Sequence, residues 1–91
     1  MKHIIIFDLE TQYAADEVGG WQHIRDMRLS VAVTYNATTK MYRDYLEPDA
    51  EHLVNTLLGA DLVVGYNVIR FDYEVLRGYT SQPLTDIPTV D

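Results

Sequence analysis

The hydrophobic pattern of the first half of the chain predicts three strands. The unbroken apolar run Ile4–Phe7 leads into Asp8-Leu-Glu10, which is typical of an interior strand, over residues 3–10, in a sheet covered on both faces. Residues 28–35 alternate apolar with small or polar side chains and predict a second strand. The turn-forming residues 36–39 then lead to a charged third strand over 40–46, so that strands two and three form an antiparallel hairpin with the third at an edge.

The second half of the chain predicts two helices and a fourth strand. Pro48, with acidic neighbours, begins a helix that ends at Gly59. Residues 62–65 form a short buried strand, and a second helix runs from Phe71 or Asp72 to about Tyr79. Residues 11–27 are expected to form a long loop, and residues 80–91 show no clear periodicity. The order β-β-β-α-β-α indicates an α/β fold.

Composition fits one small globular domain spanning residues 1–91. The chain has no cysteine, which excludes disulfides and thiolate metal sites and suits a reducing cytoplasm. Its first apolar run is too short for a signal segment or a membrane span, so we expect a cytoplasmic protein with no membrane partner. Fourteen acidic side chains against seven Lys and Arg give a net charge of −7, which disfavours non-specific binding to a phosphate backbone unless cations or a basic module offset it.

Two carboxylates lie at the end of the first strand. Asp8 and Glu10 point to the same face with Cα atoms about 6.5 Å apart, because side chains on a strand alternate. Close carboxylates in a low-dielectric setting repel each other, and a hard divalent ion such as Mg²⁺ or Mn²⁺ removes that conflict. On their own, however, such residues also fit solvent-exposed acids that end a strand.

Asp72 is the third carboxylate of interest. It shares a helical face with Val75, Leu76 and Tyr79, so it is directed toward the core and needs a partner. One interpretation makes Asp72 a helix N-cap, with Phe71 in a hydrophobic staple. Another places it with Asp8 and Glu10 at the carboxyl ends of parallel strands, where ligands gather in α/β folds.

The sequence FDLET at residues 7–11 and the sequence NVIRFD at residues 67–72 resemble the first two motifs of the DEDD 3′–5′ exonucleases. The longer segment GYNVIRFDYEVL, residues 65–76, is similar to the corresponding segment of helicase-associated exonuclease domains and of the proofreading domains of B-family DNA polymerases. The resemblance covers residues 3–80. It implies a ribonuclease H-like fold and hydrolysis of phosphodiesters at the 3′ end of DNA or RNA by a two-metal mechanism.

The resemblance also implies roles for individual residues. Asp8, Glu10 and Asp72 correspond to catalytic carboxylates that hold Mg²⁺ or Mn²⁺, two ions in the complete family site. Leu9 and Thr11 correspond to positions beside the terminal nucleotide, the backbone next to Leu9 being the usual contact. Asn67 corresponds to the asparagine that supports the loop or contacts the substrate strand.

The third motif of that superfamily, a Tyr or His followed four residues later by Asp, has no match after Asp72. Asp86 and Asp91 are preceded at that spacing by Gln82 and Ile87. We therefore expect a truncated domain that lacks its C-terminal strand and helices, with weak or no activity. We also expect exposed apolar surface, which a homodimer or a helicase or other domain of a larger parent protein would cover.

Two alternatives to the exonuclease interpretation remain open. The chain is either a non-catalytic ribonuclease H-like module that binds nucleic acid or protein, or a small structural domain whose acids are caps and strand ends. Trp21, in the long loop, either packs that loop against the core or stacks on a base.

Overall fold

A computed structural model describes residues 2–91 as a five-stranded mixed sheet with the order β3-β2-β1-β4-β5. The strands are β1 (Ile4–Thr11), β2 (Leu29–Asn36), β3 (Met41–Leu46), β4 (Leu62–Val64) and β5 (Thr89–Val90). β1 pairs with β2 and β2 with β3 in antiparallel fashion, whereas β1, β4 and β5 run parallel. The predicted hairpin, the edge position of β3 and the central position of β1 are confirmed.

Helical segments connect the strands from β3 onward. Helix α1 (Ala50–Leu58) follows a 3₁₀ turn at Glu47–Asp49, as the Pro48 signal predicts. A π-helical turn, Val68–Asp72, leads directly into the short helix α2 (Tyr73–Leu76), and a 3₁₀ turn at Leu84–Asp86 precedes β5. The α/β class and the predicted order β-β-β-α-β-α are confirmed.

Three predictions about irregular regions are wrong in detail. Residues 11–27 are not a plain loop, because they contain 3₁₀ helices at Ala15–Val18 and Trp21–Met27. The second helix begins earlier than predicted, as a π turn, and its α part ends at Leu76. The C-terminal strand predicted to be missing is present as β5, which pairs with β4. Two residues are too few to show an alternation of apolar and polar side chains. This strand is therefore defined by its pairing with β4 and not by its local sequence.

One face of the sheet carries the hydrophobic core. Ile5, Phe7 and Leu9 of β1 point to this face and are at most 5% exposed. The helical segments cover it with buried residues, and Phe7 stacks on Tyr73 with ring centroids 6.4 Å apart. The buried residues of α1 are Ala50, Leu53, Val54 and Leu57, and those of the π turn and α2 are Val68, Asp72, Tyr73, Val75 and Leu76.

The opposite face, here called the open face, has no covering element among residues 2–91. It carries the alternate side chains of each strand, which strand pairing aligns across the sheet. Its exposed apolar members are Ile6 (46%), Val33 (38%), Tyr42 (73%), Leu46 (57%) and Val90 (54%). The prediction of a sheet covered on both faces is therefore wrong for the described residues, whereas the expectation of exposed apolar surface is confirmed. No helix formed by residues 2–91 has the length and apolar character needed to cross a membrane.

Candidate functional site

The predicted site residues gather near one edge of the sheet because three strands are parallel. β1, β4 and β5 all direct their carboxyl ends to this edge. β1 continues past the last residue that pairs with β4, Ile6, so Asp8 and Glu10 lie on its projecting end. Asp72 ends the π turn that follows β4, and Asp91 directly follows β5. This arrangement places carboxylates where α/β folds commonly bind ligands.

Asp72 is a buried carboxylate without a full set of partners. The residue is 3% exposed, and its Oδ2 atom is buried with no hydrogen-bond partner among the described residues. Burial is the main cause that raises the pKa of Asp72 to about 7, and the negative charge of Asp8 is the second. The backbone amides of Leu9 and of Asp72 itself act in the opposite direction, and the charge of Asp91 adds to the increase. Asp72 therefore carries its negative charge at a cost that a cation would relieve.

The π turn that presents Asp72 has identifiable local causes. Asn67 adopts a left-handed conformation with φ 56° and ψ 29°, which Asn tolerates better than most residues. The backbone N–H of Phe71 then donates to the carbonyl of Asn67 at 3.1 Å. Asp72 itself has helical angles of φ −59° and ψ −45°, and its side chain makes no capping hydrogen bond. The interpretation of Asp72 as an N-cap is therefore wrong. Single π turns of this kind are frequent at functional sites.

Gly65 brings β4 and the π turn close to β1. A Cβ atom at this position would lie 2.8 Å from the carbonyl oxygen of Phe7 and 2.5 Å from Cγ1 of Val68. Only glycine fits without displacement, because the first of these contacts is with a backbone atom of the central strand. The glycine thus lets the chain turn directly beside the strand that carries Asp8.

Asp8 and Glu10 are exposed and lie on the open face, opposite Val33 and Val31 of β2. The structure brings Asp8 close enough to Asp72 for their charges to interact. Among residues 2–91, however, no three His, Cys, Asp or Glu side chains are grouped closely enough to hold a metal ion together. The assignment of Asp8, Glu10 and Asp72 as catalytic metal ligands therefore stays a prediction.

The three residues predicted to contact substrate lie around the same edge. Leu9 is 5% exposed and its side chain belongs to the core, so any contact with substrate would involve its backbone. The Thr11 hydroxyl donates to the carbonyl of Tyr13 at 2.9 Å, and Asn67 is exposed at the start of the π turn. Their roles in substrate binding stay predictions.

Trp21 packs beside the π turn. Its ring meets Phe71, the neighbour of Asp72, edge to face with centroids 6.2 Å apart, yet 66% of the residue is exposed. The contact ties the 3₁₀ segment of residues 21–27 to the π turn and leaves most of the indole accessible. The packing role considered for Trp21 is confirmed by this contact, and stacking on a base stays a prediction.

Asp91 is the residue at this edge for which sequence reasoning found no role. Its Oδ2 atom accepts a hydrogen bond from the backbone N–H of Ile69 at 3.0 Å. A position directly after a strand would have marked Asp91 as a candidate site residue. The sequence does not reveal that strand, because β5 has only two residues.

Comparisons with known proteins show a similarity of fold. No family model matches the chain, and no curated protein matches it. The chain is similar to the structure of the family B DNA polymerase from the hyperthermophilic archaeon Pyrobaculum calidifontis, with 17% identity and a TM-score of 0.60. The similarity covers 86% of this chain and 11% of the polymerase chain. At this identity the likeness is one of fold, and the five-stranded mixed sheet is compatible with a ribonuclease H-like fold.

Proposed function

We propose that this chain is a ribonuclease H-like nuclease domain of the DEDD 3′–5′ exonuclease type, similar to the helicase-associated domains. Its substrate class is the 3′ end of DNA or RNA, and its cofactor is Mg²⁺ or Mn²⁺. The fold similarity to a family B DNA polymerase supports this proposal, because the motifs at residues 7–11 and 67–72 resemble those of B-family proofreading domains.

The observation that carries the proposal is the buried, unpartnered Oδ2 of Asp72 next to the charge of Asp8. A buried carboxylate without a partner is costly, so its position calls for a positive group. Carboxylate oxygens are the ligands that Mg²⁺ and Mn²⁺ prefer. Asp8 and Asp72 would hold the ion, with Glu10 as the further candidate ligand. When bound, such ions supply a water nucleophile at neutral pH and stabilise charge on a phosphodiester.

The proposal also includes an expectation about the level of activity. Residues 73–91 contain no Tyr or His followed four residues later by Asp, so no side chain corresponds to the third motif. Without that motif, the proposal assigns the chain on its own weak or no hydrolysis. Cation binding is therefore a more direct test than activity.

The test is a titration with Mn²⁺ followed by ¹H–¹⁵N NMR. Paramagnetic broadening is expected to centre on the amides of Asp8, Leu9 and Asp72, and Asp8→Asn is expected to abolish it. The matched control is Asp16→Asn, which removes an exposed carboxylate on a 3₁₀ helix. Broadening restricted to surface acids such as Asp49 and Asp61 would overturn the proposal.

Hydrolysis is measured with 5′-labelled single-stranded DNA and RNA oligonucleotides in the presence of Mg²⁺ or Mn²⁺. Any activity of the wild-type chain is expected to release 3′-terminal mononucleotides and to require both Asp8 and Asp72. Equal product release by Asp72→Asn would argue against the assigned site.

A second candidate function is a non-catalytic module that binds nucleic acid or protein. The open face favours the protein-binding form, because its exposed apolar side chains extend across strands from β3 to β5. A helicase domain, another domain of the parent protein or a second copy of the chain is a proposed partner. Binding of such a partner without cation-dependent broadening at Asp8 and Asp72 would favour this candidate over the nuclease.

A further inference from the structure

We infer that Asp91 is a positioning residue for the cation site, one that holds the π turn so that Asp72 faces Asp8. The inference rests on the proposed function and adds a residue that the motif resemblance does not include. Its basis is the hydrogen bond from the Ile69 backbone N–H to Asp91 Oδ2 at 3.0 Å.

Two contacts, one with β5 and one with the residue that directly follows it, lie on either side of Asp72 in the sequence. On one side, Ile69, the second residue of the π turn, is bound to Asp91. On the other side, the hydroxyl of Tyr73 lies 2.8 Å from Oγ1 of Thr89, in a hydrogen bond. Asp72 lies between these two points, so the position of its carboxylate depends on how the turn is fastened to β5.

β5 is itself fixed to the strand that precedes the turn. Val64 pairs with Val90, and the backbone N–H of Gly65 donates to the carbonyl of Val90 at 3.1 Å. The segment from Gly65 to Ile69 is therefore anchored to β5 at both ends. Asp91 makes the second anchor, at the start of the π turn, in addition to the burial of Val68 in the core.

Asp91 acts through the turn rather than as a ligand. Its Oδ2 atom is engaged by the Ile69 amide, and no three acidic side chains among residues 2–91 are grouped for joint metal binding. Its position resembles that of outer groups that orient metal ligands without touching the metal.

Two substitutions separate the hydrogen bond from the charge. Asp91→Asn keeps an oxygen acceptor for the Ile69 amide and removes the charge, whereas Asp91→Ala removes both. The control for a general loss of negative charge in the C-terminal segment is Asp86→Ala, because Asp86 is exposed in the 3₁₀ turn before β5.

The experiment measures the affinity of the whole chain for Mn²⁺ at a temperature where all variants are folded. Asp91→Ala is expected to weaken binding about 10-fold, the lower end of the range typical for groups that orient metal ligands. Asp91→Asn is expected to restore affinity to within about threefold of wild type, and Asp86→Ala to leave it unchanged. Because all variants are folded at this temperature, a simple loss of stability predicts no weakening of Mn²⁺ affinity in Asp91→Ala. Wild-type affinity in Asp91→Ala, or equal weakening by Asp91→Ala and Asp91→Asn, would overturn the inference.

Amide hydrogen exchange without any cation distinguishes this inference from the proposed function. Asp91→Ala is expected to accelerate exchange at Ile69, and Asp91→Asn is expected to leave exchange at Ile69 close to wild type, because it keeps an acceptor for that amide. If wild type shows no Mn²⁺ binding at Asp8 and Asp72, the proposed function fails, and the exchange result still decides whether Asp91 positions the turn. Unchanged exchange in Asp91→Ala would refute that role.

Discussion

The carboxylates of Asp8 and Asp72 interact at the carboxyl end of β1 although they occupy very different environments. Asp8 is exposed on the open face, whereas Asp72 is 3% exposed and has an unpartnered oxygen. The first can adjust its position and remain hydrated, but the second is held by the π turn in a place that disfavours its charge. This asymmetry determines how the protein should respond to pH and to cations.

The first prediction concerns stability and pH in the absence of divalent cations. Asp72 has a pKa of about 7 when folded, against an ordinary value of 3.8, so the folded state binds more protons between these values. Its contribution to the free energy of unfolding is therefore fully present below about pH 4 and is lost as the pH rises through 7. Asp72→Asn, which resembles the neutral acid, should be more stable than wild type at pH 8, by roughly 4 kcal/mol at most, because each pKa unit corresponds to about 1.4 kcal/mol.

Urea denaturation in EDTA at several pH values measures this difference. The gain from Asp72→Asn should disappear near pH 4, and the control Asp16→Asn should show no comparable pH-dependent gain. A constant difference across the pH range would mean that Asp72 does not titrate as described.

The second prediction concerns divalent cations. Mg²⁺ or Mn²⁺ bound at Asp72 should stabilise the folded state, by about 2.7 kcal/mol at a cation concentration 100 times Kd. The rise in Tm should be large at pH 8 and small at pH 5, because the ion requires the ionised carboxylate of Asp72. Thermal denaturation measures it, with NaCl at equal ionic strength as the control for screening. An equal rise in Asp72→Asn would place the stabilising ion elsewhere.

The third prediction concerns the approach of β4 to β1. Gly65→Ala places a Cβ atom 2.8 Å from the Phe7 carbonyl oxygen and should destabilise the fold by about 1–3 kcal/mol, as overpacking does. Gly59→Ala is the matched control, because its nearest neighbour would be 3.4 Å away and its φ is −83°. Urea denaturation should show the second variant within about 0.5 kcal/mol of wild type. Similar stability of the two variants would contradict the close approach at Gly65.

The fourth prediction concerns the open face. The double substitution of Ile6 and Val33 by Thr should reduce binding of a hydrophobic dye and concentration-dependent self-association, because both side chains expose apolar surface on adjacent strands. The control is Tyr66→Thr, since Tyr66 is 93% exposed in the loop after β4 and lies off the sheet. Dye fluorescence and sedimentation velocity measure the effects. Equal reductions by the two variants would show that the open face has no special role.

Much of the fold follows from local patterns. The apolar run at Ile4–Phe7 and the alternation in residues 28–35 identify β1 and β2, because each pattern matches the period of a strand. The spacing of Asp72 with Val75 and Leu76 also predicts that Asp72 is buried, and the structure confirms this. The π turn could not be predicted in this way, since its form depends on the left-handed Asn67 and on packing against the sheet.

The sequence by itself determined the strand order along the chain, the central carboxylates and the apolar face that buries Asp72, because these depend on periodicity within single elements. Only the tertiary structure decided that Asp91 binds the Ile69 amide, that β5 exists and that one sheet face is open. These features join residues that are distant in sequence or depend on which element covers another. Strand pairing and burial produce them, and neither is encoded in a local pattern.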